Sequence, residues 1–222
     1  MTTVPDVGIS HMTSSFIGEL HNRLLAQLQR QHPRVTADKI TEREFEAMLQ
    51  TCANACIADG VADDATLKRV VNAILKLLRS SGLIARSGNT KVVDFGDRTG
   101  PTALLALTRA AETAGVLSPG LRSSIEEIVK AAPRQAIGDT FDFARSTIRS
   151  RHGASERVVG EFFLETFEAS STYWAARPRW IGILADAVGG AVGGAAGAAV
   201  GGVVGAAIGA GVLGAAVSSV FA

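Results

Sequence analysis

The fold is decided by residues 187–222, AVGGAVGGAAGAAVGGVVGAAIGAGVLGAAVSSVFA, which include no charged residue, proline, asparagine or glutamine. Glycine recurs here at every fourth position without interruption, at Gly189, Gly193, Gly197, Gly201, Gly205 and Gly209. Small residues at this spacing form a smooth stripe along a helix, and the stripe lets helix backbones approach closely in membranes. We therefore expect these six glycines to form a helix-packing and self-association surface, a glycine zipper.

The cost of glycine in a helix predicts the surroundings of this segment. The run has eleven glycines, and each costs about 1 kcal/mol relative to alanine in water, so a lone soluble helix is strongly disfavoured. In lipid, an unpaired backbone group costs several kcal/mol, which forces the chain into a helix. The sequence therefore predicts a membrane segment. A buried helix of a soluble protein and a flexible linker are the alternatives, and the lack of proline and charge disfavours the linker.

The length of the apolar run favours two membrane passes over one. A single helix over its 36 residues would be about 54 Å long, whereas the hydrocarbon core is about 30 Å thick. Division at Gly201-Gly202 gives two arms, 181–200 and 203–222, of 20 residues each, which is the length that spans the core. We predict a hydrophobic helical hairpin, which a bundle of helices can sheathe before it inserts.

One charged residue, Asp186, lies within 181–222. A carboxylate is expensive inside a bilayer, so we expect it either at the membrane interface or as a pH-sensitive or pore-facing group. Just before the hairpin, Trp174 and Trp180 bracket Arg177 and Arg179. Because aromatic rings favour the headgroup layer and arginines favour the cytoplasmic side, we expect these four residues at a membrane interface. The alternative is that they belong to the core and end of the last helix of the body.

The remainder of the chain predicts an almost wholly helical body. Seven stretches have apolar residues at helical spacing: 14–32, 41–60, 63–82, 101–115, 118–133, 138–151 and 155–175. Thr41 and Glu44 form a capping-box sequence, and the predicted N-caps of later helices are Asp63 or Asp64, Ser118 and Ser155. Residues 83–95 surround Gly88-Asn89 with strand-like sequence, which predicts a short β-hairpin.

These elements predict a mainly α fold, a multi-helix bundle with one short β-hairpin and a C-terminal glycine-zipper hydrophobic hairpin. We divide the chain into a flexible leader (1–13), two helical subdomains (14–100 and 101–176), a juxtamembrane junction (177–180) and the membrane segment (181–222). The N-terminal sequence MTTVPDVGIS has no basic region followed by an apolar one, so we expect no signal peptide. We therefore expect the protein to be synthesised in the cytoplasm and to associate with a membrane through its C-terminal segment.

Several functional classes are disfavoured by composition and motif content. The net charge is +1, so no global basic field indicates nucleic acid. None of His11, His21, His32 and His152 forms a metal-binding or catalytic motif, and the paired Cys52 and Cys56 lack further ligands at metal spacing. We expect two buried cysteines, no catalytic residues, no metal and no cofactor.

Two resemblances add expectations. A helical body with an alanine- and glycine-rich hydrophobic hairpin over 181–222 resembles the pore-forming domains of colicins, which implies a hairpin stored inside a bundle and inserted into a membrane. The first three helices followed by a wing-like β-hairpin resemble a winged-helix domain, and the resemblance covers roughly residues 40–97. That resemblance implies DNA binding or a protein-interaction module. The basic residues available to it are Lys68, Arg69, Lys76, Arg79, Arg86 and Lys91.

Three functional hypotheses result. The first is a membrane-inserting, self-associating helical protein that permeabilises its target bilayer, as a toxin or effector does. The second is a non-lytic, membrane-anchored interaction or assembly protein whose helical body binds a protein partner. The third is a winged-helix nucleic-acid binder, which the local charge of +3 over 61–100 supports only weakly.

Overall fold

The structure is a computed structural model that describes residues 14–32, 40–94, 101–175 and 180–221. The predicted leader and the predicted interface residues Arg177 and Arg179 lie outside these ranges. The described elements are, in chain order, α1 (Ser14–Gln31), β1 (Ile40–Thr41), α2 (Glu42–Ala58), α3 (Asp64–Ser80), β2 (Ile84–Ser87), β3 (Thr90–Val93), α4 (Thr102–Thr113), α5 (Pro119–Ala131), a 3-10 turn (Ala132–Arg134), α6 (Ile137–Arg151), α7 (Ala154–Tyr173) and α8 (Trp180–Phe221).

Most helix ends follow the capping sequences. The Thr41 hydroxyl accepts the Glu44 N–H at 3.1 Å, and the Glu44 carboxylate accepts the Thr41 N–H at 2.9 Å, so the predicted capping box is confirmed. Asp63 and Ser118 cap α3 and α5 in the same way. The prediction of Ser155 as a cap is wrong, because α7 begins at Ala154, after Gly153.

A small antiparallel sheet lies beside the first three helices. The predicted β-hairpin is confirmed as β2 and β3, in which Arg86 pairs with Lys91 across the turn. A third strand, β1, was not predicted, because two residues are too short to show a strand period. It pairs with β3 in the order β1-β3-β2 and places Ile40 opposite Val93.

The predicted hydrophobic hairpin is confirmed and forms the centre of the bundle. Gly202 interrupts α8 with φ 58° and ψ −145°, a conformation open essentially only to glycine, so the chain reverses at the predicted position. We call residues 180–221 the hairpin, 180–201 its first arm and 203–221 its second arm. Helices α1, α3 and α7 pack most extensively against it. The main cluster of buried apolar side chains includes residues on both sides of the predicted boundary at residue 100.

Candidate functional site

The two arms of the hairpin touch through their backbones. A Cβ atom placed on Gly193 would lie 2.0 Å from the Gly209 carbonyl oxygen, and one on Gly197 would lie 1.9 Å from that of Gly205. Gly189 also approaches the opposite arm, with 2.8 Å between such a Cβ and the Gly214 Cα. No side chain larger than hydrogen fits at these contacts, so the glycine row is what permits the arms to pack.

Five of the six glycines in the predicted row therefore face the opposite arm of the same chain. The sixth, Gly201, faces α3, where a Cβ would lie 3.5 Å from the Thr66 methyl group. Since the row is covered within one molecule, a second copy reaches it only after the arms separate. Self-association through this row stays a prediction.

Further glycines of the hairpin fit the helices around it. A Cβ on Gly190 would lie 2.4 Å from the Thr166 hydroxyl oxygen, and one on Gly194 would lie 2.5 Å from the Phe162 ring, both on α7. Gly211 lies against Leu20 and Leu24 of α1. The hairpin therefore fits closely against the helices α1 and α7, as its two arms fit against each other. In the most apolar 18-residue window of α8, 72% of the residues are buried.

Asp186 is fully buried and is held by three donors. Its Oδ1 atom lies 2.7 Å from Nε2 of His21, which is also fully buried. Its Oδ2 atom accepts hydrogen bonds from the Ser170 hydroxyl and, at 3.3 Å, from the Trp174 indole N–H. The carboxylate therefore joins the first arm to α1 and to the end of α7. It lies in the interior of the bundle in this structure. Its placement at a membrane interface, or as a pH-sensitive or pore-facing group, stays a prediction.

The protonation state of His21 follows from its hydrogen-bond partners. The Asn22 amide nitrogen donates to the Ala169 carbonyl at 3.2 Å, which orients the amide oxygen towards His21 Nδ1 at 3.0 Å. Both ring nitrogens of His21 thus face acceptors, an arrangement that requires the doubly protonated imidazolium. Burial by itself lowers the pKa of His21, but the Asp186 carboxylate outweighs it and holds the pKa above its ordinary value. The result is a buried ion pair between α1 and the hairpin.

The two predicted interface tryptophans take different positions. Trp174 is half-buried, donates to Asp186 and packs edge-on against Tyr173, with 5.3 Å between ring centroids. Trp180 begins the first arm and lines a small cavity with Ala132 and Ile183. Both belong to the packing at the base of the hairpin in this structure. Their placement at a membrane interface stays a prediction.

The opposite end of the hairpin is exposed. Residues 198–204, which we call the tip, have the sequence AAVGGVV and contain no polar side chain. Val203 is 55% exposed, and Val200 and Val204 are each 37% exposed. Beside the tip, a groove of about 420 Å³ runs between α3, the end of α4 and the first arm. Its apolar wall includes Leu77 and Val200, and Lys76 lies at its rim.

Ion pairs occupy several of the basic residues that the winged-helix resemblance singled out. Lys68 lies 2.5 Å from Asp64, and Arg79 and Lys91 both approach Glu42, at 2.5 and 3.5 Å. Neutralised cations of this kind attract phosphate less strongly than free ones. Lys76 has no carboxylate within ion-pair distance among the residues that the structure describes.

A second polar cluster, which no sequence motif predicts, joins the middle of α5 to the end of α6 and the start of α7. His152 Nε2 lies 2.9 Å from the Ser124 hydroxyl, and its Nδ1 lies 2.9 Å from Glu156. The order is that of a serine–histidine–acid triad. Ser124 and His152 are both more than nine-tenths buried, so no substrate reaches the hydroxyl in this conformation. In this conformation the cluster is a buried hydrogen-bond chain that links three helices.

Two further kinds of titratable group lie in the bundle, the half-buried carboxyl of Glu165 and two buried thiols. Glu165 on α7 has one carboxylate oxygen without a hydrogen-bond partner; burial, together with Glu161 and Glu168, raises its pKa to about 7. Cys52 and Cys56 are both buried and free, as expected. Burial raises the pKa of the Cys52 thiol well above its usual value, and burial and nearby Asp59 raise that of Cys56 to about 12.

The glycine row, Asp186 and the two tryptophans are evident in the sequence, whereas the contacts of Asp186 with His21 and Ser170 are not. His21 falls on the apolar stripe of α1, between Leu20 and Leu24, and a histidine at such a position is a detectable signal of a buried polar contact. Across the described ranges, no group of three or more histidine, cysteine or acidic side chains is arranged to hold a metal ion. The sequence matches no protein-family model, and no curated protein or solved structure is significantly similar to it.

Proposed function

We propose that this chain is a membrane-inserting protein that stores a transmembrane hairpin inside its own helical bundle. The single observation that carries the proposal is the hairpin itself. It is 42 residues long, it reverses at Gly202, and each arm has the length that crosses a hydrocarbon core. A helix of this length and composition satisfies the requirements for crossing a membrane, and the core helix of a soluble protein, which satisfies them too, is the alternative.

The packing of the hairpin supports storage followed by release. Its apolar surface is covered by α1, α3 and α7, so the bundle keeps the arms out of water. When the arms leave, the apolar faces of these helices lose their cover, and release therefore requires the bundle to open on a surface that receives both. A lipid bilayer is such a surface.

One ion pair opposes this release. The His21–Asp186 pair is buried in the bundle, and a carboxylate costs about 2.5–3.5 kcal/mol at the centre of a membrane helix. Asp186 is the seventh residue of α8, so it enters the bilayer near the interface, where the cost is smaller. Once in lipid, the glycine rows are free to pair again, within one chain or between chains, and assembly of several hairpins would permeabilise the bilayer.

A disulfide lock tests the proposal in a single protein. The 3.5 Å between a Gly201 Cβ and the Thr66 methyl carbon suits a bridge between Thr66→Cys and Gly201→Cys. With the bridge reduced, we expect membrane association that resists alkaline carbonate and release of a dye trapped in vesicles. With the bridge oxidised, both are lost, because the tip stays tied to α3.

The outcomes separate the hypotheses. Association that resists carbonate without dye release favours the non-lytic anchor. If the reduced protein neither associates nor releases dye, or if the oxidised protein is equally active, the proposal is wrong. The native cysteines do not interfere, because both are buried with raised pKa values.

A further inference from the structure

The tip is an exposed apolar surface at the end of an otherwise buried hairpin. Its three valines stand out from the bundle, and Val203 is the most exposed of them. A protein partner ordinarily adds hydrogen bonds at the rim of an apolar contact. The side chains of the tip offer none, because residues 198–204 are alanine, glycine and valine throughout.

The neighbouring helix α3 adds a positive charge beside this surface. Lys76 is exposed and lines the groove together with Ala199 and Val200 of the tip. Arg69, on the same helix, donates a hydrogen bond to the hydroxyl of Thr66. Thr66 is the residue of α3 that faces Gly201 of the tip. The acids at the start of α3 are already engaged, since Asp64 pairs with Lys68 and Asp63 caps the helix.

We propose that the tip and the rim of its groove dock this protein on an anionic lipid surface, with the valines in the acyl region and Lys76 on a headgroup phosphate. The inference rests on the proposed function and specifies its first step. The bundle stays closed in this step, because the tip is exposed while the arms are covered. Docking orients the molecule with the hairpin reversal towards the bilayer and its base, at Trp180, away from it.

The first test compares an exposed apolar residue on the tip with one elsewhere on the bundle. Val203 on the tip is 55% exposed, and Ile57 near the end of α2 is 39% exposed. Ile57 lies away from the tip, because Asp59, two residues further along, pairs with Arg23 in the middle of α1. Binding is measured by flotation with vesicles of phosphatidylcholine and phosphatidylglycerol. We expect Val203→Asp to weaken binding by about tenfold or more, because a valine side chain loses its burial, and Ile57→Asp to bind as the unchanged protein does.

The second test addresses the charge. Lys76→Gln is compared with Arg134→Gln, an exposed cation on the 3-10 turn whose Ala132 packs with Trp180 at the hairpin base. One cation at an anionic surface contributes roughly fivefold in binding. We expect Lys76→Gln to lose that factor with phosphatidylglycerol present and to lose nothing on pure phosphatidylcholine, whereas Arg134→Gln changes neither.

The outcomes distinguish this inference from the proposed function. If Val203→Asp binds as tightly as Ile57→Asp, or if both are weakened equally, tip docking is overturned, even if all the proteins release trapped dye. Equal effects of Lys76→Gln and Arg134→Gln overturn the assignment of the headgroup contact. If the unchanged protein does not float with either vesicle, the inference and the proposed function both fail.

Discussion

Replacing Gly197 by alanine adds one methyl group at the closest contact between the two arms. In an isolated helix this change is favourable by about 1 kcal/mol, because alanine is the better helix former. In the hairpin, the new Cβ would lie 1.9 Å from the Gly205 carbonyl oxygen, whereas ordinary contacts begin at 3.4 Å. Both groups are held in helices, so the arms must move apart by about 1.5 Å.

The size of the effect follows from that separation. A gap of 0.5–1 Å already forfeits roughly a quarter to a half of the dispersion energy of each contact, and overpacking a core costs about 1–3 kcal/mol. Because the obstacle is backbone, we expect a cost near the upper end and a net loss of about 2 kcal/mol after the gain in helix propensity. For a chain of this size, the melting temperature falls by about 4–8 °C.

Gly201→Ala is the matched control. It belongs to the same row, but its Cβ would lie 3.5 Å from Thr66, so we expect unchanged or slightly increased stability. Urea titration followed by far-UV circular dichroism measures the free energy of unfolding of both variants. If Gly197→Ala is as stable as Gly201→Ala, the arms do not pack through their glycine backbones, and the reasoning is refuted.

Three further predictions concern the titratable side chains inside the bundle. Asp186→Ala lowers the free energy of unfolding by about 3–5 kcal/mol, since it leaves the His21 imidazolium buried and unpaired; urea titration measures it. Between about pH 5 and 8, stability falls as pH rises, because His21 and Glu165 have raised pKa values and bind more protons in the folded state. Native protein shows no rapidly reacting thiol with a colorimetric disulfide reagent, whereas urea exposes two, Cys52 and Cys56.

Each of these has a result that contradicts it. An Asp186→Ala variant within 1 kcal/mol of the unchanged protein would mean that the buried pair does not form. A flat stability profile would contradict the pH prediction, and Glu165→Gln should remove part of the slope, since the amide does not titrate. Because His21 and Glu165 bind protons more tightly in the folded state, mild acidification raises the stability of the closed bundle. Protonation of these two groups therefore does not release the hairpin. Fast labelling of a native thiol would contradict the burial of α2.

The hairpin could be predicted from the sequence because its cause is local. The uncharged run, as one helix, is longer than a bilayer is thick, and Gly201-Gly202 divides residues 181–222 into two arms of 20 residues each. Length and glycine position together therefore locate the reversal at Gly202. Capping residues such as Thr41 and Asp63 were equally readable, since a cap acts within one helical turn. Ser155 misled because a glycine, Gly153, already provides the extended residue that precedes α7.

The partners of the hairpin could not be predicted, because they are distant in sequence. His21 and Asp186 are separated by 165 positions, and no local pattern encodes which helix faces which. The glycine row shows the same limit: its spacing predicts close helix packing, but the same spacing serves packing within one chain and packing between chains. Only the tertiary arrangement shows that Gly197 meets Gly205 of its own second arm.

The position of the tip in vesicle-bound protein tests the central claim most directly. Val203→Cys, with Cys52 and Cys56 replaced by alanine, presents one thiol at the reversal of the hairpin. In free protein, this thiol reacts with a membrane-impermeant maleimide added outside. If the hairpin crosses the bilayer, the bound protein loses that reaction and reacts instead with the same reagent trapped in the vesicle lumen. If the thiol of the bound protein still reacts only from outside, the hairpin has stayed in the bundle, and the account is contradicted.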